Sequence, residues 1–114
     1  MTPPAPIRYL YKSSESSILQ LVVTMEVKAS HILVDDEATA KRLLKTLTPI
    51  NFPAVAKKNS TCPSAENGGD LGWFGPGQMV KEFETVAFKL KPGAISNVVK
   101  TEFGYHIIMI TGKR

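Results

Sequence analysis

The stretch Ser60–Leu90, STCPSAENGGDLGWFGPGQMVKEFETVAFKL, is the part of the chain that the rest is organised around. It opens with the only cysteine, Cys62. Turns at Gly68-Gly69, Gly72 and Gly75-Pro76-Gly77 follow, because glycine admits backbone conformations that other residues resist and proline fixes one angle. Leu71, Trp73, Phe74, Met79 and Phe83 are set between and after those turns. Such a pattern holds apolar side chains on a shaped, partly open surface. It does not fit a metal site, a phosphate loop or a bare connector.

Downstream of the turns, Val80–Phe88 reads as a helix with Phe83, Val86, Ala87 and Leu90 on one stripe. Lys91-Pro92-Gly93 is a turn, and Ile95–Val99 can be a strand. Lys100–Glu102 and Gly104 form the connection to Tyr105–Thr111, a β-branched, aromatic and apolar strand expected near the sheet centre. Upstream, Val27–Val34 reads as a strand, with His31 on the Val27, Ala29, Leu33 face by the two-residue period. Asp35 or Asp36 can cap a helix whose stripe is Ala40, Leu43, Leu44 and Leu47, closed by Pro49. Asn51 is a plausible cap for a short second helix that turns Phe52, Val55 and Ala56 inward. The order is strand, helix, helix, short strand, helix, strand, strand. It predicts a small α+β domain, with helices packed around a mainly antiparallel sheet.

A chain of 114 residues allows one domain. The net charge of +4 is mild and the lysines are scattered, so nucleic-acid binding is not expected. One cysteine excludes an internal disulfide and a CxxC pair, and it is compatible with a reducing, cytoplasmic setting. Residues 1–24, MTPPAPIRYLYKSSESSILQLVVT, differ in composition from the rest. Their prolines and serines read as a flexible extension, or as a misassigned start upstream of Met25. Ile18–Val23 is too short to cross a bilayer, and no cleavage pattern of a secretory signal follows it. Residues 25–114 are the expected domain.

Two histidines exist, His31 and His106, both inside strands. With Cys62 they are too widely spaced for the short ligand pairs of common zinc sites, and no metal or cofactor is expected. His106 falls on the Ile108, Ile110 face of the last strand. A Cys-His nucleophilic pair is conceivable, but no acid partner or oxyanion arrangement can be read from the residues. Two satisfied core histidines are the plainer alternative.

The ordered motifs Ala29-Ser30-His31-Ile32-Leu33-Val34, Ser60-Thr61-Cys62-Pro63-Ser64, Gly68-Gly69-Asp70-Leu71-Gly72-Trp73-Phe74, Gly77-Gln78-Met79-Val80, Phe83-Glu84, Ala87-Phe88 and Phe103-Gly104-Tyr105-His106-Ile107-Ile108 carry a family resemblance. Over residues 27 to about 112 the chain resembles the small parvulin-type peptidyl-prolyl cis/trans isomerases. The resemblance implies a four-stranded, mainly antiparallel sheet surrounded by helices, similar in shape to the FK506-binding proteins. It implies a catalytic set of His31, Cys62 and His106. It further implies a proline pocket of Leu71, Met79 and Phe83, with Phe74 close by and Thr101 and Phe103 beside the far wall. Where phosphate-directed members carry a basic cluster, this chain reads Asp35-Asp36-Glu37, which argues against phosphorylated substrates.

The implied activity is rotation about X-Pro bonds in proline-containing peptides and in unfolded or partly folded proteins, by a monomer that assists folding. The apolar trio would grip the proline ring, and the histidines and Cys62 would form a hydrogen-bonded floor. The contrasting reading is a proline-peptide binding module without catalysis. A nucleic-acid-associated parvulin would need a basic tail or patch, which the sequence lacks.

Overall fold

The structure, a computed structural model, describes residues 25–114. The N-terminal extension expected over residues 1–24 lies outside the described residues. Strand β1 (Val27–Val34) leads to helices α1 (Glu37–Leu44) and α2 (Phe52–Asn59). A 3-10 turn (Pro63–Asn67), strand β2 (Asp70–Phe74) and helix α3 (Lys81–Lys89) follow. The chain finishes with β3 (Val99–Thr101) and β4 (Gly104–Lys113). The four strands form one sheet in the order β2-β1-β4-β3, and every pairing is antiparallel. The α+β expectation and the central place of the last strand both hold.

Both sheet faces are covered, which explains why Ile32–Val34 of β1 and Ile107–Ile110 of β4 run apolar without alternation. On one face Val27, Ala29, Ile108 and Ile110 pack with Phe74 of β2 and with Phe83 and Ala87 of α3. On the other face Ile32, Val34, Ile107 and Met109 pack against Ala40 of α1 and Phe52 and Ala56 of α2. Opposed residues of an antiparallel pair share a face. The register His31↔Ile108 and Leu33↔His106 therefore places both histidines on the α3 side.

Four local expectations are corrected. Helix α1 ends at Leu44, well before Pro49. Asn51 supplies the reason: its side chain accepts from the Thr48 amide at 2.7 Å and donates to the Thr46 carbonyl at 3.0 Å. Those bonds offer the backbone an alternative to helix continuation. For the same reason Asn51 makes no side-chain cap on α2. The strand expected over Ile95–Val99 is reduced to a single bridge, Ile95↔Met109. There the Ser96 hydroxyl, at 2.9 Å, replaces a backbone carbonyl as acceptor for the Ile108 amide. Pairing resumes at β3, so Lys100 and Thr101 belong to the strand rather than to the hairpin connection. Asp36 does cap α1, accepting from the Thr39 amide at 2.8 Å.

Candidate active site

His31 sits in β1 and His106 in β4, the two central strands, where neighbours on both sides fix the backbone. Their Nδ1 atoms are 3.0 Å apart, and the rings lie within 25° of parallel. Behind His106 the Thr101 hydroxyl is 2.7 Å from Nε2, and that hydroxyl also accepts from the Phe103 amide at 3.1 Å. Both imidazoles are buried. Burial first, and the neighbouring His106 second, push the His31 pKa down to about 4. Burial also lowers His106. The pair is neutral at pH 7.

Phe83, on the first turn of α3, presents its ring to both imidazoles at steep angles, 74° to His31 and 82° to His106. It thereby joins both imidazoles to the apolar core and contributes to their desolvation. In front of this group opens a cavity of about 480 Å³. Its walls include His31, His106, Cys62, Leu71, Met79, Phe83 and Phe103. Seven of the nine site residues expected from the sequence thus converge on one space. The other two stand behind it. Phe74 is buried against Phe83 and Phe88, with ring centroids 6.0 Å from each. Thr101 is buried and reaches the cavity only through His106. Neither lines the cavity: Phe74 lies close to it behind Phe83, and Thr101 lies behind His106.

Leu71 reaches the cavity by an irregularity of β2. Ala29 pairs with Gly72 but Ser30 pairs with Asp70, so Leu71 is an extra, bulged residue. Strict alternation would put Leu71 on the same face as Trp73. The bulge instead packs it with the α3-side core, while Trp73 stays on the outer face under the Arg114 guanidinium, 4.1 Å from the ring centroid. Gly72 makes this possible with φ +75°, and the Asp70 carboxylate accepts from its amide at 2.8 Å.

Sequence reasoning missed Leu33, Thr61, Pro63, Gln78 and Val80, which also line the cavity. Gln78 and Val80 flank Met79 in a motif already singled out, so adjacency was the available signal. Leu33 shares the His31 face by alternation. Cys62 is a half-buried free thiol, and among the described residues no hydrogen bond joins its Sγ to either imidazole. A Cys-His nucleophilic pair is therefore not assembled. No group of three or more His, Cys, Asp or Glu among the described residues has a metal-binding arrangement.

The foldase protein PrsA of Geobacillus kaustophilus (strain HTA426) is 58% identical over 90 residues, covering 77% of this chain. The chain spans about a third of that relative's length, 32%. The crystal structure of a peptidylprolyl isomerase (PrsA) from Bacillus anthracis superposes with a TM-score of 0.73 at 50% identity, over 80% of this chain and 43% of that one. The solution structure of NmPin, the parvulin of Nitrosopumilus maritimus, superposes with a TM-score of 0.64 at 42% identity, over 76% of this chain and 96% of that one. Residues 24–112 match the family model of the PPIC-type PPIase (rotamase) domain, and the chain belongs to that family, the parvulin-type peptidyl-prolyl isomerases.

Proposed function

We propose that this domain accelerates cis/trans rotation about X-Pro bonds by noncovalent binding of the twisted amide, and that it assists protein folding in this way. The observation that carries the reading is a buried, neutral histidine pair facing a mostly apolar cavity. Peptide-bond rotation has a barrier of roughly 18–20 kcal/mol because amide resonance must be lost. A site accelerates it by holding the twisted form better than either planar form. Leu71, Met79 and Phe83 hold the proline ring, so that the preceding carbonyl turns against a fixed partner. An apolar surround disfavours the charge-separated planar amide. His31 and His106 offer a neutral polar floor, and Cys62 contributes a small polar wall without bonding to substrate.

Selectivity for phosphate is not part of this reading. Among the described residues no lysine or arginine lines the cavity, and Asp36 is held ionised by the Thr39 amide and hydroxyl. A phosphate before proline would meet no countercharge there. Exchange rates for matched peptides with Ser-Pro, phosphoserine-Pro and other residues before proline test activity and selectivity together. Rates at the uncatalysed level throughout would leave a binding module. A strong preference for the phosphorylated peptide would overturn the charge argument.

The natural substrates in this proposal are proline-containing segments of unfolded or partly folded proteins, bound by a monomer. The foldase name of the PrsA relatives supports the folding role. A cytoplasmic setting belongs to the same proposal and rests on the single unpaired cysteine alone. Cell fractionation decides it. No described helix is long and apolar enough to cross a membrane.

A further inference from the structure

We propose that Ser60 is a positioning residue that sets the Cys62 wall of the cavity against the His31 strand; the catalytic meaning of this assignment rests on the function proposed above. Ser60 does not line the cavity. Its position is defined by three elements at once. Its amide donates to the Ala56 carbonyl at 2.9 Å, closing the end of α2. Its hydroxyl oxygen accepts from the Leu33 amide at 3.0 Å and from the Cys62 amide at 3.4 Å. A hydroxyl oxygen has two lone pairs, so these two donors use its full accepting capacity.

The need for such a tether follows from the sheet. The ladder between β1 and β2 stops at Ser30↔Asp70, and the last contact on that side is the His31 amide on the Gly69 carbonyl at 2.9 Å. Beyond it the outer edge of β1 has no strand partner among the described residues. Ser60 and Thr61 take the place of one. Leu33 donates to Ser60 Oγ, and its carbonyl accepts from the Thr61 amide at 2.8 Å and from the Thr61 hydroxyl at 3.2 Å. Leu33, Thr61, Cys62 and Pro63 all line the cavity. The width of the cavity on this side is thus set by the Thr61–Leu33 backbone bond together with side-chain hydrogen bonds, of which Ser60 holds the two that reach different walls.

Removing the hydroxyl frees the Leu33 and Cys62 amides while leaving the Thr61–Leu33 backbone bond in place, and the variant is expected to fold. Ser60→Ala, Ser60→Thr and Thr48→Ala are compared with the full wild-type chain at a temperature where circular dichroism shows each folded. Thr48→Ala is the control for stability alone, since it removes an exposed hydroxyl acceptor of the Asn51 amide outside the site. The readouts are kcat/KM on an X-Pro peptide and the rate of Cys62 alkylation by iodoacetamide. Ser60→Ala is expected to lose about tenfold in kcat/KM, because misplacing a positioning wall costs more rate than its contacts suggest. Its Cys62 is expected to alkylate faster, and Ser60→Thr to keep both wild-type values. Wild-type kcat/KM and alkylation in Ser60→Ala, or equal impairment in Ser60→Ala and Ser60→Thr, overturns the proposal. So does a loss in Ser60→Ala no larger than in Thr48→Ala. If the wild-type chain catalyses no rotation, the isomerase reading fails on its own, and the alkylation rates still decide whether Ser60 places Cys62.

Discussion

His31 and His106 meet through their Nδ1 atoms at 3.0 Å, although 75 positions separate them in the chain. One ring must donate and the other accept, so one proton is shared along this contact. Two neutral orderings satisfy it. In one, the Thr101 hydroxyl donates to His106 Nε2, His106 Nδ1–H donates to His31, and His31 Nε2 carries the last proton. In the other, His31 Nδ1–H donates to His106, whose Nε2–H donates to the Thr101 hydroxyl oxygen. Protonating both rings fully would set two N–H groups against each other. Geometry therefore excludes the doubly protonated pair, and burial disfavours any charge on either ring.

The pH dependence follows from that neutrality. His31 has a folded pKa of about 4 against an ordinary value of 6.5. Below pH 6.5 the unfolded chain takes up a proton that the folded site refuses. The contribution of His31 to stability is complete above pH 6.5 and is lost as pH falls from 6.5 towards 4. Urea unfolding of wild type and His31→Asn across pH 4–8 measures this. The wild type is expected to show the steeper loss below pH 6.5, with isomerase rates flat from pH 6 to 8.

The division of labour in the cavity is testable at Met79, Phe83 and Cys62. Met79→Ala and Phe83→Leu are each expected to reduce isomerisation efficiency more than Cys62→Ser. The first two loosen the grip on the proline ring, whereas the third keeps a small polar group in the wall. Leucine is used at Phe83 because the ring is buried against Phe74 and both histidines, and its removal to alanine would cost about 3–5 kcal/mol of stability. Complete loss of turnover in a well-folded Cys62→Ser, with Phe83→Leu nearly silent, would assign the work to the thiol.

Gly69 and Gly77 separate two costs that a glycine can avoid. Both have φ +86°. A Cβ at Gly77 would meet nothing, so Gly77→Ala is expected to lose about 1–2 kcal/mol from backbone conformation alone. A Cβ at Gly69 would overlap the carbonyl oxygen of His31 itself, one member of the histidine pair. Gly69→Ala is expected to lose more stability than Gly77→Ala in denaturant titrations, and to lose activity under conditions where it remains folded. Equal losses would mean that the close approach is relieved at no cost.

Among the described residues, the cavity walls run from His31 to His106. A chain of residues 25–114 is expected to match residues 1–114 in isomerase rate and in thermal midpoint. A large loss of both on shortening would give residues 1–24 a part in the fold.

Sequence alone determined the elements whose signals are local. Val27–Val34 and the last strand were legible from two-residue alternation and β-branched content, and α3 from its 3.6-residue stripe. The same periodicity placed His31 with Val27 and Ala29, and His106 with Ile108 and Ile110, on definite faces. Only tertiary structure decided what those faces meet. The bulge at Leu71 reverses the parity that alternation assigns it, because Gly72 turns the backbone to positive φ and β1 skips a partner there. Side chains of Asn51 and Ser96 take backbone partners away from a helix and a strand that propensity would have extended. Phe74 and Thr101 stand behind Phe83 and His106 because depth from the surface has no period in sequence. The histidine pair depends on the β1–β4 register, which is set by packing on both sheet faces at once against helices distant from either histidine in the chain.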